Sequence, residues 1–105
     1  NERRNDMSEK RLRVLARVSA KASSVKQVRT ILIALVDATR KEPGCISYQF
    51  LQNRSDPKEF VSVEEWGSAA AEQAHFSTEH LKNAVVRLTG HLAVESDIRR
   101  YSVVR

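Results

Sequence analysis

Glu59-Phe60-Val61-Ser62-Val63-Glu64-Glu65-Trp66-Gly67-Ser68 is the stretch from which the rest of the chain can be read. Phe60, Ser62, Glu64 and Trp66 alternate with Val61, Val63 and Glu65, the two-residue period of a strand. The alternation stops at the only tryptophan of the chain. Glycine then frees the backbone, and Ser68 has the hydroxyl that caps a helix start. A helix is expected from there to about Phe76. Ser77 is placed to cap a second helical piece carrying Leu81, Ala84, Val85 and Leu88, which Gly90 interrupts. Two of the three histidines, His75 and His80, fall just past this strand-to-helix corner. Residues suited to proton transfer and to aromatic contact are thus concentrated in Glu59–His80.

Upstream, Cys45 to Asn53 also alternates. Ile46, Tyr48 and Phe50 are expected on one face, and Cys45, Ser47, Gln49, Leu51 and Asn53 on the other. The polar turn Arg54-Ser55-Asp56-Pro57-Lys58 joins this segment to Glu59–Trp66 as a hairpin. Before it, Ser24 and Gln27 have capping-box spacing, and Val25, Val28, Ile31, Leu32, Leu35 and Val36 recur at helical intervals. Pro43 and Gly44 end that helix by Glu42. Leu12–Lys21 reads as a first strand, with Leu12, Val14, Ala16, Val18 and Ala20 facing the core. Ile98–Val104 reads as a last one. Residues 1–10 are expected to be a flexible tail and 11–105 one domain. The order strand, helix, strand, strand, helix, strand predicts an α+β, ferredoxin-like split βαβ fold, with a four-stranded antiparallel sheet and helices on one face.

Composition narrows the function classes. At 105 residues the chain suits one domain and one modest core. The net charge of +5 comes from basic residues scattered along the chain, the pattern of solvated faces and not of a phosphate-tracking stripe. An RNA-recognition motif shares the topology, but the strand Lys58–Glu65 carries three acids that repel phosphate. Partners are therefore expected to include no nucleic acid. No apolar run approaches the roughly 20 residues that span a bilayer, and the charged amino-terminal stretch lacks a signal peptide's apolar centre. The single cysteine, Cys45, permits no intramolecular disulfide and suits a reducing, cytoplasmic setting. Several strands carry apolar residues on both faces, among them Leu15, Leu51 and Val61. Two helices cover one face only, so a homodimer packed sheet against sheet is expected.

With the elements placed, the chain resembles the antibiotic biosynthesis monooxygenase (ABM) family. Glu42-Pro43-Gly44-Cys45 followed by Tyr48 is similar to that family's helix-to-strand turn. Phe60, Glu64 and Trp66 are similar to its strand, Ser68 and Ala71 to its helix start, and His75 and His80 to its helical histidines. Asp56-Pro57 in the hairpin loop is also usual there. The resemblance runs from Leu12 to Val104 and implies a dimeric α+β barrel. The activity it implies is quinol-type, cofactor-independent monooxygenation of a small phenol, hydroquinone or polyketide-type aromatic with dioxygen. An isomerase of a small phosphorylated signalling sugar and a non-catalytic ligand-binding domain are the alternatives.

Oxygenation without flavin or metal needs a base, a flat apolar slot and exclusion of water. His75 is the candidate base, because an imidazole exchanges protons near neutral pH. Asn53 is the candidate that orients a phenolic oxygen. Trp66 and Tyr48 are candidate slot walls with polar handles, and both equally suit core packing. Glu64 and His80 complete the expected substrate-binding set, with Glu64 able to partner a histidine or arginine. No cofactor or metal is expected. His75 and His80 are five residues apart and would diverge by about 140° on one continuous helix. A break at Ser77 would realign them, but no cysteine or third histidine lies at a useful spacing. The resemblance disfavours haem breakdown, since that branch has an asparagine where this chain has Leu15-Ala16-Arg17.

Overall fold

The computed structural model describes residues 11–105, so the tail expected over 1–10 lies outside the described residues. The predicted order is present. β1 (Leu12–Ser19), α1 (Val25–Thr39), β2 (Cys45–Gln52), β3 (Glu59–Trp66), α2 (Ala69–His75), α3 (Glu79–Leu88) and β4 (Asp97–Tyr101) follow one another. The strands form one antiparallel sheet in the order β2-β3-β1-β4, the ferredoxin-like arrangement. Alternation decides which side meets the helices. Val14 and Val18 of β1 and Phe60 and Trp66 of β3 are buried together with Val28, Ile31, Leu32 and Leu35 of α1 and Ala84 and Leu88 of α3. Leu15 and Leu51 point to the other side, which none of the described helices covers, and remain exposed.

Four local details differ from the sequence expectation. Ser24 does not cap α1: it belongs to a 3-10 turn at Ala22–Ser24, and its φ of -116° and ψ of 6° are not the extended geometry a cap uses. Its hydroxyl instead meets His91 Nδ1 at 2.9 Å. Thr78, and not Ser77, caps α3, accepting from the Leu81 amide at 3.3 Å. β4 ends at Tyr101, short of Val104. Finally, β2 carries a bulge at its start. Cys45 pairs with Trp66 and Ser47 with Glu65, so Ile46 is the extra residue. Ile46 is consequently exposed and does not share the buried face of Tyr48, whereas Cys45 packs against the core. β2 lies at the edge of the sheet, and the Arg40 Nε–H from the end of α1 donates to its Tyr48 carbonyl at 2.8 Å.

Candidate functional site

The site begins where α1 gives way to β2. Gly44 has φ +84°, a conformation L side chains rarely adopt, and a Cβ there would lie 2.5 Å from Ala71 Cβ. The Gly44 carbonyl also accepts from the Gly67 amide at 2.8 Å. Glycine thus lets the Glu42-Pro43-Gly44 turn lie flush against the first turn of α2. Ser68 starts that helix by accepting from the Ala71 amide at 3.1 Å. The close fit sets the Glu42 carboxylate beside the last residue of α2, His75.

Glu42 Oε2 is 2.6 Å from His75 Nδ1 and 2.5 Å from His80 Nε2. Each contact is an imidazole N–H donating to the carboxylate, which fixes the tautomers. The Glu42 and His75 side chains are only 7% and 4% exposed, against 28% for His80. The two histidines meet because the helix breaks between them. α2 stops at His75 and α3 starts at Glu79, and the Thr78 hydroxyl clips the break by donating to the His75 carbonyl at 2.7 Å. The donor atoms of Glu42, His75 and His80 lie within 4.8 Å of one another. Sequence spacing supplies no cysteine or third histidine to join the pair; the group the fold brings there is instead a carboxylate from 33 residues before His75.

Aromatic rings hold the other side of His75. The centroid of Trp66 lies 5.0 Å away, and those of Tyr48 and Phe76 both 5.6 Å. Behind them Glu64 accepts from Ser62 Oγ at 2.6 Å and from Trp66 Nε1 at 2.8 Å. Ser62 Oγ in turn accepts from the Ala16 amide at 2.9 Å, tying the network to β1. Burial pushes the Glu64 carboxyl above its ordinary range, while the Ser62 and Trp66 hydrogen bonds and nearby His75 pull it back. Burial, reinforced by the Glu64 and Glu42 carboxylates, pushes the Tyr48 phenol far up, so it stays a hydrogen-bond donor at any ordinary pH.

These groups border a cavity of about 150 Å³ between sheet and helices. Val14 and Ala16 line it from β1, Tyr48 from β2, Glu64 from β3, His75 and Phe76 at the end of α2, Leu81 and Val85 from α3, and Ile98 from β4. Glu72, also on its wall, is bound by Arg100 of β4 through two hydrogen bonds of 2.9 Å each. The Arg100 guanidinium also sits 5.9 Å from the Phe76 ring centre.

The structure therefore brings Tyr48, Glu64 and His75 together around one cavity. Trp66 is fully buried and lies outside its lining: it backs His75 and donates to Glu64, so it is a packed support and not a slot wall. His80 reaches the site through Glu42 and does not line the cavity. Asn53 is elsewhere. Its Oδ1 accepts from the Ser55 and Asp56 amides at 2.8 and 3.1 Å, and its Nδ2 donates to Glu59 Oε1 at 2.6 Å. Three of the four hydrogen-bonding positions of the Asn53 amide thus serve the hairpin loop, and Asn53 does not line the cavity, which corrects its assignment as the group orienting a phenolic oxygen. Sequence reasoning missed Glu42, Ser62, Glu72 and Arg100 as site residues. Glu42 stood in the helix-to-strand turn, but nothing in the spacing of the chain pairs it with His75.

Among the described residues, no helix is long and apolar enough to cross a membrane. The antibiotic biosynthesis monooxygenase family model matches residues 11–87. A crystal structure of an antibiotic biosynthesis monooxygenase is 31% identical, covers 90% of this chain and 99% of that one, and superposes with a TM-score of 0.85. A conserved protein from Methanosarcina mazei Go1 is 28% identical over 92% of this chain and 96% of its own, with a TM-score of 0.84. An uncharacterised protein from Synechocystis sp. is 27% identical over 90 residues, 86% of this chain. Those residues span 61% of that curated relative's length. With a family model covering most of the domain and the split βαβ sheet beneath it, the chain belongs to the antibiotic biosynthesis monooxygenase family.

Proposed function

We propose that the chain oxygenates a single-ring, electron-rich phenol or hydroquinone with dioxygen, with His75 as the general base and no flavin or metal in the step. The observation that carries this reading is the Glu42–His75 contact at the wall of an apolar cavity. With the Nδ1 proton held by Glu42, the accepting lone pair of His75 is on Nε2. Glu42 thereby plays the positioning role of a carboxylate behind a catalytic imidazole. Removing the phenolic proton gives a phenolate electron-rich enough to pass one electron to dioxygen. The resulting radicals combine, one oxygen atom stays on the ring, and the other leaves as water with two electrons from the hydroquinone. The Tyr48 hydroxyl supplies a donor to a substrate oxygen, and Glu64 holds the wall behind it.

Cavity size supports a one-ring substrate. About 150 Å³ is the volume in which an apolar protein cavity takes up benzene, whereas a tricyclic polyketide requires the walls to part. A phosphorylated sugar fits the site less well. Glu64 and Glu72 line the cavity, and the nearby Arg100 is engaged by Glu72 through both its Nε and Nη2. Base-stacking RNA recognition is disfavoured too, because Phe60 is buried against the helices.

The assembly proposed with this activity is a homodimer packed sheet against sheet. On the uncovered face, Leu15 pairs with Val63 and Val61 with Leu51. Salt bridges Arg13–Glu65 and Arg17–Glu59 flank that apolar stripe, the centre-and-rim layout of an interface.

Oxygen uptake by chelator-treated protein, with hydroquinones and tricyclic anthrones as substrates, tests the chemistry. Uptake is expected with the single-ring compounds. It should fall by about 100-fold or more in His75→Ala, as for loss of a general base, and by about tenfold or more in Glu42→Gln. Undiminished uptake in His75→Ala removes that residue from the mechanism.

A further inference from the structure

We infer that Glu42 Oε2, His75 Nδ1 and His80 Nε2 form a site for one divalent ion of the late first-row transition series, Zn²⁺, Ni²⁺ or Cu²⁺. Three separate elements deliver these atoms: the α1–β2 turn, the end of α2 and the start of α3. Two imidazoles and one carboxylate are a donor set that such ions prefer, while Mg²⁺ and Ca²⁺ require more oxygens than the cluster offers. The single carboxylate oxygen between two N–H groups already holds the donors together, at 2.6 and 2.5 Å. An ion with bonds of roughly 2.0–2.2 Å needs its donors about 3.3 Å apart, so each ring has to withdraw by less than about 1 Å. The helix break permits this on the His80 side, where the side chain is 28% exposed. That exposed side also gives the ion a way in and leaves a position open to water.

Binding displaces each N–H proton now shared with Glu42 onto the other nitrogen of its ring. A consequence, resting on the reading of His75 as base, is that an ion on Nδ1 forces the remaining proton onto Nε2. The loaded form then has no lone pair facing the cavity, and the ion acts as a reversible inhibitor. Binding itself does not depend on that reading.

Trp66 makes the site observable without substrate, since it is the only tryptophan and its ring lies 5.0 Å from His75. Chelator-stripped protein is titrated with Ni²⁺ while Trp66 emission is followed, and Zn²⁺ is then added as a competitor. The expected result is saturable quenching with one ion per chain, reversed by Zn²⁺ and unaffected by Mg²⁺. Glu42→Gln and His80→Ala should each weaken binding at least tenfold, whereas His91→Ala, whose ring pairs with Ser24, should leave it unchanged. Zn²⁺ should also raise the melting temperature of the wild-type chain and not of His80→Ala. Quenching that does not saturate, or that keeps the same midpoint in both cluster variants, overturns the proposal. So does equal loss in His91→Ala. Failure of oxygen uptake in the chelated protein bears only on the proposed activity.

Discussion

Glu64 is a carboxylate whose charge the fold disfavours. Its carboxyl is raised from the ordinary 4.5 chiefly by burial, so the folded chain holds that proton to higher pH than the unfolded chain does. The contribution to stability is therefore intact below the ordinary value and declines as pH rises through the raised one. Glu64→Gln removes this decline. Urea unfolding across pH 4–8 should show the wild-type chain losing stability relative to Glu64→Gln as pH rises. A difference constant with pH would mean that the Ser62 and Trp66 hydrogen bonds cancel the burial effect. Asn53 offers the complementary test. Its amide serves the hairpin loop, so Asn53→Ala should cost about 1 kcal/mol in chemical denaturation and leave oxygen uptake unchanged. Chemistry of type nominated Asn53 as a site residue; its neighbours Ser55, Asp56 and Glu59 gave it another task.

Among the elements, the Glu42–Gly44 turn is the most sensitive. Gly44→Ala places a methyl group 2.5 Å from Ala71 Cβ at a φ of +84°, and should destabilise the fold by about 2 kcal/mol or more. Because the same contact sets α2 against the turn, oxygen uptake should fall with it, even in protein that remains folded by circular dichroism. Thr78→Ala, which removes the α3 cap and the clip to His75, should cost about 1 kcal/mol in the same measurement. β3 was legible from the sequence to its end residues, because eight positions alternate without interruption and Gly67 closes them. The face bearing Trp66 was equally clear as one face; that it meets the helices follows only from the sheet order. The bulge at Ile46 was not legible, since an extra residue leaves the alternating letters unchanged while shifting the register. Nor was the Glu42–His75–His80 cluster, because it needs the chain to fold back and a helix to break at Phe76–Thr78. Sequence spacing describes one element at a time, and this cluster is built from three.

At the scale of the molecule, the three α-helices of the described residues cover one side of the sheet, and the other side carries the Leu15–Val63 and Val61–Leu51 pairs. If that stripe is the dimer interface, Val63→Lys should sediment as a monomer while keeping its wild-type far-ultraviolet spectrum, since its neighbours Ser62 and Glu64 point the other way. A wild-type chain that sediments as a monomer when dilute overturns the dimer itself. The edge of the sheet bears on the same question. An open strand edge invites further strands to add without limit, and β2 is such an edge. Its first pairing is interrupted by the extra residue Ile46, and its Tyr48 carbonyl is occupied by Arg40. Both devices discourage fibre-like growth along the hydrogen-bonding direction. If the Leu15–Val63 face is the interface, a second copy seated on it would favour a closed pair over an open-ended polymer.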